Sequence, residues 1–280
     1  MGRARYLAPN IITGIGLVFG LASLALAQHG HWALSAWMII YAVLGDRLDG
    51  VVARKLRATS DLGVQLDSFA DFLNFGVAPA FLLQAFLSAP ENIARFDLPY
   101  DHGWPRVYLL AACVIWVLAA VFRLARFNVM VEDGKPTRIY FGVPTTLAGG
   151  LLIIWFLAFL KYAEPGAAPF GGPKLLGGSI TTPHGVWLGL PAAMLVGAYL
   201  MASSWRMLKI ASTENKLLTW FLLLNVVSGY VLGWLQLMPE YMLWMPTLWM
   251  AVFLVWGRLA EEARSLEPPP IFPLPPDRGT

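Results

Sequence analysis

Charged residues are scarce in this chain. They make up 13% of its 280 residues, whereas apolar residues make up 58%. So few charges cannot give a protein of this size a water-facing surface, and the composition indicates that much of the surface lies in lipid. The 20 Lys and Arg slightly exceed the 17 Asp and Glu. In so apolar a chain this excess is attributed to membrane topology and to anionic headgroups, and not to nucleic-acid binding.

Cysteine and histidine are also rare. Cys113 is the only cysteine and lies in an apolar stretch, so one chain can form neither a disulfide nor a thiolate metal site. The four histidines, His29, His31, His102 and His184, fall in connections that we assign below to the outer face. That position argues against histidine-based catalysis at the cytoplasmic face.

Apolar segments recur along the whole chain. A membrane-spanning helix needs roughly 20 predominantly apolar residues, and lipid leaves no water to satisfy an open backbone. We therefore predict an all-α, polytopic membrane bundle of about eight helices, at about 7–27, 32–52, 66–88, 107–126, 140–160, 186–205, 217–238 and 241–257. The first segment is too long for the core of a cleaved signal peptide and is kept as a helix.

The positive charges predict the orientation of the bundle. With both termini in the cytoplasm, 16 of the 20 Lys and Arg fall on the cytoplasmic side, and only Arg95, Arg106, Lys161 and Lys174 remain outside. The connection between the second and third helices then faces the cytoplasm. We expect the membrane to be the inner membrane of a bacterium. We expect one membrane domain over residues 1–265, with a catalytic core at about 5–210 and a disordered, proline-rich tail at 266–280.

Four carboxylates stand out between residues 46 and 71. Asp46 and Asp49 are three apart, and Asp67 and Asp71 are four apart, so each pair shares one face of a helix. Such groups repel unless a cation lies between them, and oxygen ligands select Mg²⁺ or Mn²⁺. The alternative is a set of solvated helix ends, which the apolar flanking sequence disfavours.

The spacing of these residues has a known counterpart. The stretch reads Asp46-xx-Asp49-Gly50-xx-Ala53-Arg54, then eight residues, then Gly63-xxx-Asp67-xxx-Asp71. It resembles the signature of the CDP-alcohol phosphotransferase family at every fixed position. Members of that family transfer a phosphatidyl or similar group from a CDP-linked lipid to an alcohol and release CMP.

The resemblance implies a role for each signature residue. Asp46, Asp49, Asp67 and Asp71 would hold Mg²⁺ or Mn²⁺, as two ions, and Asp71 would be the general base. The CDP pocket would be formed by Asp46, Gly50, Ala53, Arg54, Gly63 and Asp67. The chemistry needs these residue types: small residues admit a nucleotide close to the helix, arginine binds phosphate, and a carboxylate activates an alcohol.

Further motifs resemble the phosphatidylserine synthase branch of the family. They are Leu7-Ala-Pro9-Asn10-Ile-Ile-Thr13, Phe75-Gly76-Val77-Ala78-Pro79, Arg123-Leu124-Ala125-Arg126-Phe127-Asn128 and Phe141-Gly142-Val143-Pro144. The branch implies CDP-diacylglycerol and L-serine as substrates, and a homodimer. Asn74 and the pair Thr145-Thr146 depart from its pattern. No histidine is followed two places on by lysine, which excludes the phospholipase D type of phosphatidylserine synthase.

The acceptor alcohol is the open part of this interpretation. A serine carboxylate needs a basic partner, and Arg123, Arg126 and Arg138 are the candidates. Anchoring at the cytoplasmic face explains them equally well. Glycerol phosphate, inositol phosphate, choline or another CDP-linked lipid are alternative substrates. From a different class, a transporter with intramembrane carboxylates would scatter its acids over several helices and show inverted repeats, which this sequence lacks.

Overall fold

The computed structural model describes residues 7–56, 60–132, 139–208 and 216–261. Helices dominate it. In chain order they are α1 (Leu7–Gln28), α2 (Trp32–Leu56), α3 (Asp61–Asp71), a π-helical turn (Phe72–Val77), α4 (Ala78–Ser88), α5 (Pro90–Phe96), α6 (Gly103–Glu132), α7 (Thr145–Lys161), α8 (His184–Ala202), α9 (Lys216–Trp234) and α10 (Pro239–Leu259). The predicted helical class is confirmed, and the predicted tail at 266–280 lies outside the described residues.

Five segments in the described part of the chain are long and apolar enough to cross a membrane. They are Pro9–Gln28, Leu62–Ser88, Gly103–Val129, His184–Ala202 and Pro239–Leu259. The second helix, α2, is not among them and carries Asp46, Arg47 and Asp49 in its C-terminal half. The 17-residue α7 and the stretch Leu223–Trp234 of α9 are apolar but shorter. Eight spans and cytoplasmic termini therefore stay predictions.

A short antiparallel ribbon adds to the expected helices. Strand β1 (Ile139–Phe141) pairs with β2 (Arg206–Leu208), with Tyr140 opposite Met207. The predicted start of the fifth helix at 140 and the predicted end of the sixth helix at 205 are thus wrong. Gly142 has φ +78°, a conformation that ends the strand and suits glycine, and Pro144 delays the helix until Thr145.

The core of the bundle lies around α4. Phe86 is fully buried there, with its ring centroid 5.0 Å from that of Phe156 on α7 and 5.3 Å from that of Trp187 on α8. Edge-to-face and tilted geometries are the favoured arrangements of packed aromatic rings. A polar contact also joins α1 to α2: the buried hydroxyls of Ser23 and Ser35 lie 2.9 Å apart.

A buried ion pair ties the C-terminal end of α7 to α10. The ammonium of Lys161 is fully buried and donates to the two carboxylate oxygens of Glu240 at 2.8 and 3.0 Å. It also donates to the carbonyls of Gly171 and Pro173 at 2.8 and 2.9 Å. Glu240 in turn accepts from the Tyr162 hydroxyl at 3.0 Å. The charges of Lys161 and Glu240 therefore balance each other, and both groups are hydrogen-bonded.

Candidate active site

Helices α2 and α3 bring the four predicted carboxylates into one cluster. Oxygen atoms of Asp46, Asp49 and Asp67 all lie within 4.8 Å of one another. The fourth residue, Asp71, is 9% exposed, and its carboxyl group hydrogen-bonds with that of Asp46. The helical spacing seen in the sequence thus turns both pairs toward the same point. Carboxylates this close repel unless a cation or a shared proton lies between them.

Two threonines from other helices bind these carboxylates. The hydroxyl of Thr13 on α1 donates to Asp49 Oδ2 at 2.8 Å and lies 3.1 Å from the carbonyl oxygen of Pro9. The side chain of Thr146, in the first turn of α7, hydrogen-bonds with Asp46. Each threonine therefore fixes the direction of one carboxylate. Four helices therefore form the cluster: α2 and α3 carry the aspartates, and α1 and α7 carry the threonines that bind two of them.

Arg123 provides a buried positive charge beside the cluster. It is 7% exposed, lies on α6, and interacts electrostatically with Asp71 and Asp46. Its guanidinium carbon lies 5.0 Å from the ring centroid of Phe127. Arg47 also interacts electrostatically with Asp46. Two guanidinium groups cannot balance four carboxylates, so the site keeps an excess of negative charge that favours cations.

Arg126 is placed differently, although it lies only one turn further along α6. Its guanidinium donates to backbone carbonyls at the end of α8 and in β1: those of Met201, Ala202, Ser203 and Phe141, at 3.2, 3.1, 2.9 and 2.6 Å. These bonds satisfy carbonyls that the end of α8 leaves without partners. Arg126 therefore joins α6 to α8 and β1.

Gly63 lies where the start of α3 meets α1. A Cβ atom built at this position would lie 3.2 Å from Asn10 Oδ1 and 3.1 Å from Ser60 Oγ. Ser60 is the N-cap of α3, and its hydroxyl accepts from the Gly63 amide at 3.1 Å. Glycine thus allows the close approach of helices that positions Asp67 one turn later.

Three of the predicted binding side chains lie outside the described part of the structure. The backbone of Ala53 and Arg54 continues α2, but their side chains are not described, and Arg138 lies in the gap before β1. Gly50 follows Asp49 directly in α2 and is half-buried. The roles assigned to these four residues stay predictions.

The family model described as CDP-alcohol phosphatidyltransferase matches residues 6–256, which include the whole carboxylate cluster. The chain belongs to this family. The expected relationship is thereby confirmed. The signature aspartates of this CDP-alcohol phosphatidyltransferase family member are the carboxylates that α2 and α3 bring together.

Curated relatives carry one common name, CDP-diacylglycerol–serine O-phosphatidyltransferase. The protein from Helicobacter pylori is 32% identical over 157 residues, which is 56% of this chain and 60% of that protein. The Mycobacterium leprae protein is 37% identical over 54% of this chain and 46% of its own length. The Bacillus subtilis protein is 33% identical over 52% and 73%. The chain thus spans about three fifths of the Helicobacter relative.

Sequence reasoning missed the two threonines of the site. Thr13 belongs to one of the motifs that resemble the branch, and Thr146 to a pair that departs from it, but the sequence predicts a role for neither. One clue was present for Thr13, because a polar residue inside an apolar span needs a partner. Nothing in the sequence indicated that Arg123 and Arg126, three residues apart, would take different partners.

Proposed function

We propose that this protein transfers the phosphatidyl group of CDP-diacylglycerol to the hydroxyl of L-serine, giving phosphatidylserine and CMP. The observation that carries this proposal is the folding of the family signature into one cluster of four carboxylates. The names of the curated relatives support serine as the acceptor.

The donor atoms of the cluster fit a hard divalent cation. Three carboxylates with oxygens within 4.8 Å of one another form an all-oxygen set of the kind that Mg²⁺ and Mn²⁺ prefer. Asp46, Asp49 and Asp67 would hold one ion, and Asp71 beside Asp46 would complete the ligands of a second. When bound, such ions neutralise the diphosphate of the lipid donor and stabilise the departing CMP.

Asp71 is the proposed general base. The serine oxygen attacks the phosphorus that carries the diacylglycerol group, the bond from that phosphorus to the CMP oxygen breaks, and the hydroxyl proton passes to Asp71. An alcohol is a poor nucleophile at neutral pH, so a carboxylate within reach of its proton accelerates the step. The burial of Asp71 keeps bulk water away from this proton transfer.

Arg123 is the proposed partner of the serine carboxylate. It lies beside Asp71, so an acceptor held by its guanidinium would present the hydroxyl near the base. Arg126 is bound to backbone carbonyls and is assigned a structural role in this proposal. Gly50, Ala53, Arg54 and Gly63 are proposed to receive the cytidine and its phosphates, together with Asp46 and Asp67.

The location of the protein is also part of the proposal. We infer an integral inner-membrane protein with the carboxylates at the cytoplasmic face, supported by the five long apolar helices and by the distribution of Lys and Arg. CMP and serine are water-soluble, so a site at that face exchanges them directly with the cytoplasm. A homodimer is the proposed assembly.

The test is a direct assay of CMP release. Purified protein in detergent is incubated with CDP-diacylglycerol, Mg²⁺ or Mn²⁺, and one acceptor at a time: serine, glycerol phosphate, inositol phosphate or choline. We expect CMP and a serine-containing lipid from serine alone, and CMP release slowed by at least about 100-fold in the Asp71→Asn control. CMP release with another acceptor would keep the transfer chemistry and replace serine, whereas no release with any acceptor would overturn the proposal.

A further inference from the structure

The helix that carries Asp71 does not continue as a regular α-helix. It passes at Phe72 into the π-helical turn, which ends at Val77 before α4 begins. The amide of Ala78 donates to the carbonyl of Leu73, five residues back instead of four. A π-helical turn holds one residue more than an α-turn, and such turns are frequent at functional sites.

A proline explains why the wide turn is stable. Pro79 has no amide hydrogen, so it cannot be the α-helical donor to the carbonyl of Phe75, four residues earlier. The indole of Trp116 on α6 supplies one instead, since its Nε1 donates to the Phe75 oxygen at 3.0 Å. Trp116 is 1% exposed, so water cannot take over this bond. Without the indole the carbonyl would lose this buried hydrogen bond.

Neighbouring helices close around the same turn. The carboxamide of Asn74 fills the space left by Gly20 on α1, where a Cβ atom would overlap its oxygen. A Cβ atom at Gly149 on α7 would lie 2.9 Å from that of Phe75. The turn is therefore held from two sides as well as by Trp116, and its residues cannot shift register freely.

We propose that Pro79 and Trp116 are positioning residues for Asp71, because together they maintain the π-helical turn that determines how Asp71 is oriented relative to α4. Removing the extra residue of the turn would rotate α3 against α4 by about 100° and move it by about 1.5 Å. Either change separates Asp71 from Asp46. The inference rests on the proposed function, in which Asp71 is the base.

The experiment compares three single variants and one double variant. Trp116→Phe removes the indole donor, and Trp37→Phe is its matched control, because Trp37 is equally buried and its Nε1 has no hydrogen-bond partner among the described residues. Pro79→Ala restores an amide at position 79, which can close a regular α-turn on the Phe75 carbonyl. The readouts are the melting temperature in detergent, kcat for CMP release, and KM for CDP-diacylglycerol.

We expect stability and catalysis to separate. Trp116→Phe should lower the melting temperature by roughly 3–10 °C and kcat by about 10-fold or more. Pro79→Ala should keep or raise the melting temperature but lower kcat about 10-fold to 100-fold, with KM nearly unchanged. The double variant Trp116→Phe with Pro79→Ala should regain the melting temperature of the parent without regaining its kcat. Trp37→Phe should leave kcat as in the parent.

Two results would overturn the inference alone: parental kcat in Pro79→Ala, or recovery of kcat in the double variant, which would mean that the indole serves stability only. A parent protein that releases no CMP would overturn the proposed function, and the inference with it. If Trp116→Phe does not fold, Pro79→Ala still decides the question, because it removes no buried donor.

Discussion

Helix α7 has a buried charged cluster at each end, and the two clusters differ in how their charges are balanced. At its last residue, Lys161 meets Glu240, and nearby carbonyls and the Tyr162 hydroxyl complete both partners. About 22 Å earlier along the helix, Thr146 binds Asp46, which lies among three more carboxylates. There, positive charge from Arg123 cannot balance the aspartates.

The Lys161 cluster is structural, whereas the carboxylate cluster is the proposed reactive site. A buried ion pair with all its hydrogen bonds made has nothing left to bind, and breaking it costs stability. A cluster of like charges costs stability as it stands and is retained where the charge is used, which in the proposed function means holding a cation and accepting a proton. Substitutions in the cluster near Thr146 should therefore change catalysis, and substitutions in the cluster at Lys161 should change stability.

The largest effect is expected at the carboxylates proposed to hold the metal. Asp46→Ala, Asp49→Ala and Asp67→Ala should each reduce CMP release by at least about 1,000-fold, because the dications lose a ligand beside a diphosphate. The melting temperature without divalent ions should stay level or rise, since repulsion is relieved. Exposed Asp101→Ala is the control and should be fully active. Full activity in any of the three would remove the shared metal site.

Asp71→Asn should lower kcat by about 100-fold to 10,000-fold, because an amide keeps the shape of the side chain but cannot accept the serine proton. KM for CDP-diacylglycerol should change little. Steady-state assays at saturating Mn²⁺ measure both constants. A parental kcat would show that another group accepts the proton.

At the opposite end, Lys161→Met should reduce stability by about 3–5 kcal/mol, because it leaves the Glu240 carboxylate buried without its partner. The double variant Lys161→Met with Glu240→Gln should recover most of that loss. Thermal unfolding in detergent measures the effect, and activity per folded molecule should match the parent. Lost catalysis with unchanged stability would contradict the structural assignment of this end.

The smallest effect is expected at the two arginines of α6. Arg123→Lys keeps the charge but loses the forked donor, so KM for serine should rise about 10-fold to 150-fold while KM for the lipid donor stays level. Arg126→Lys should lower the melting temperature and leave KM for serine unchanged. The reverse pattern would move the serine carboxylate to Arg126.

Much of the site could be predicted from the sequence because it depends on local geometry. Asp46 and Asp49, and Asp67 and Asp71, share helix faces by spacing alone, and each pair is carried by one helix. The boundaries near 140 and 205 could not be predicted, because Ile139–Phe141 becomes a strand only by pairing with residues that follow α8. Strand pairing between distant segments leaves little trace in a three-residue sequence.

The helical class, the family and the four carboxylates can be read from the amino-acid sequence, since apolar length and fixed spacing are properties of neighbouring residues. The residues that surround the carboxylates are fixed only by packing between helices: Thr13 and Thr146 bind two of them, and Arg123 and Arg126 contact different groups. The same holds for Phe75 and Trp116, whose hydrogen bond joins residues 41 apart. Contacts between helices depend on packing in three dimensions, which no local pattern in the chain records.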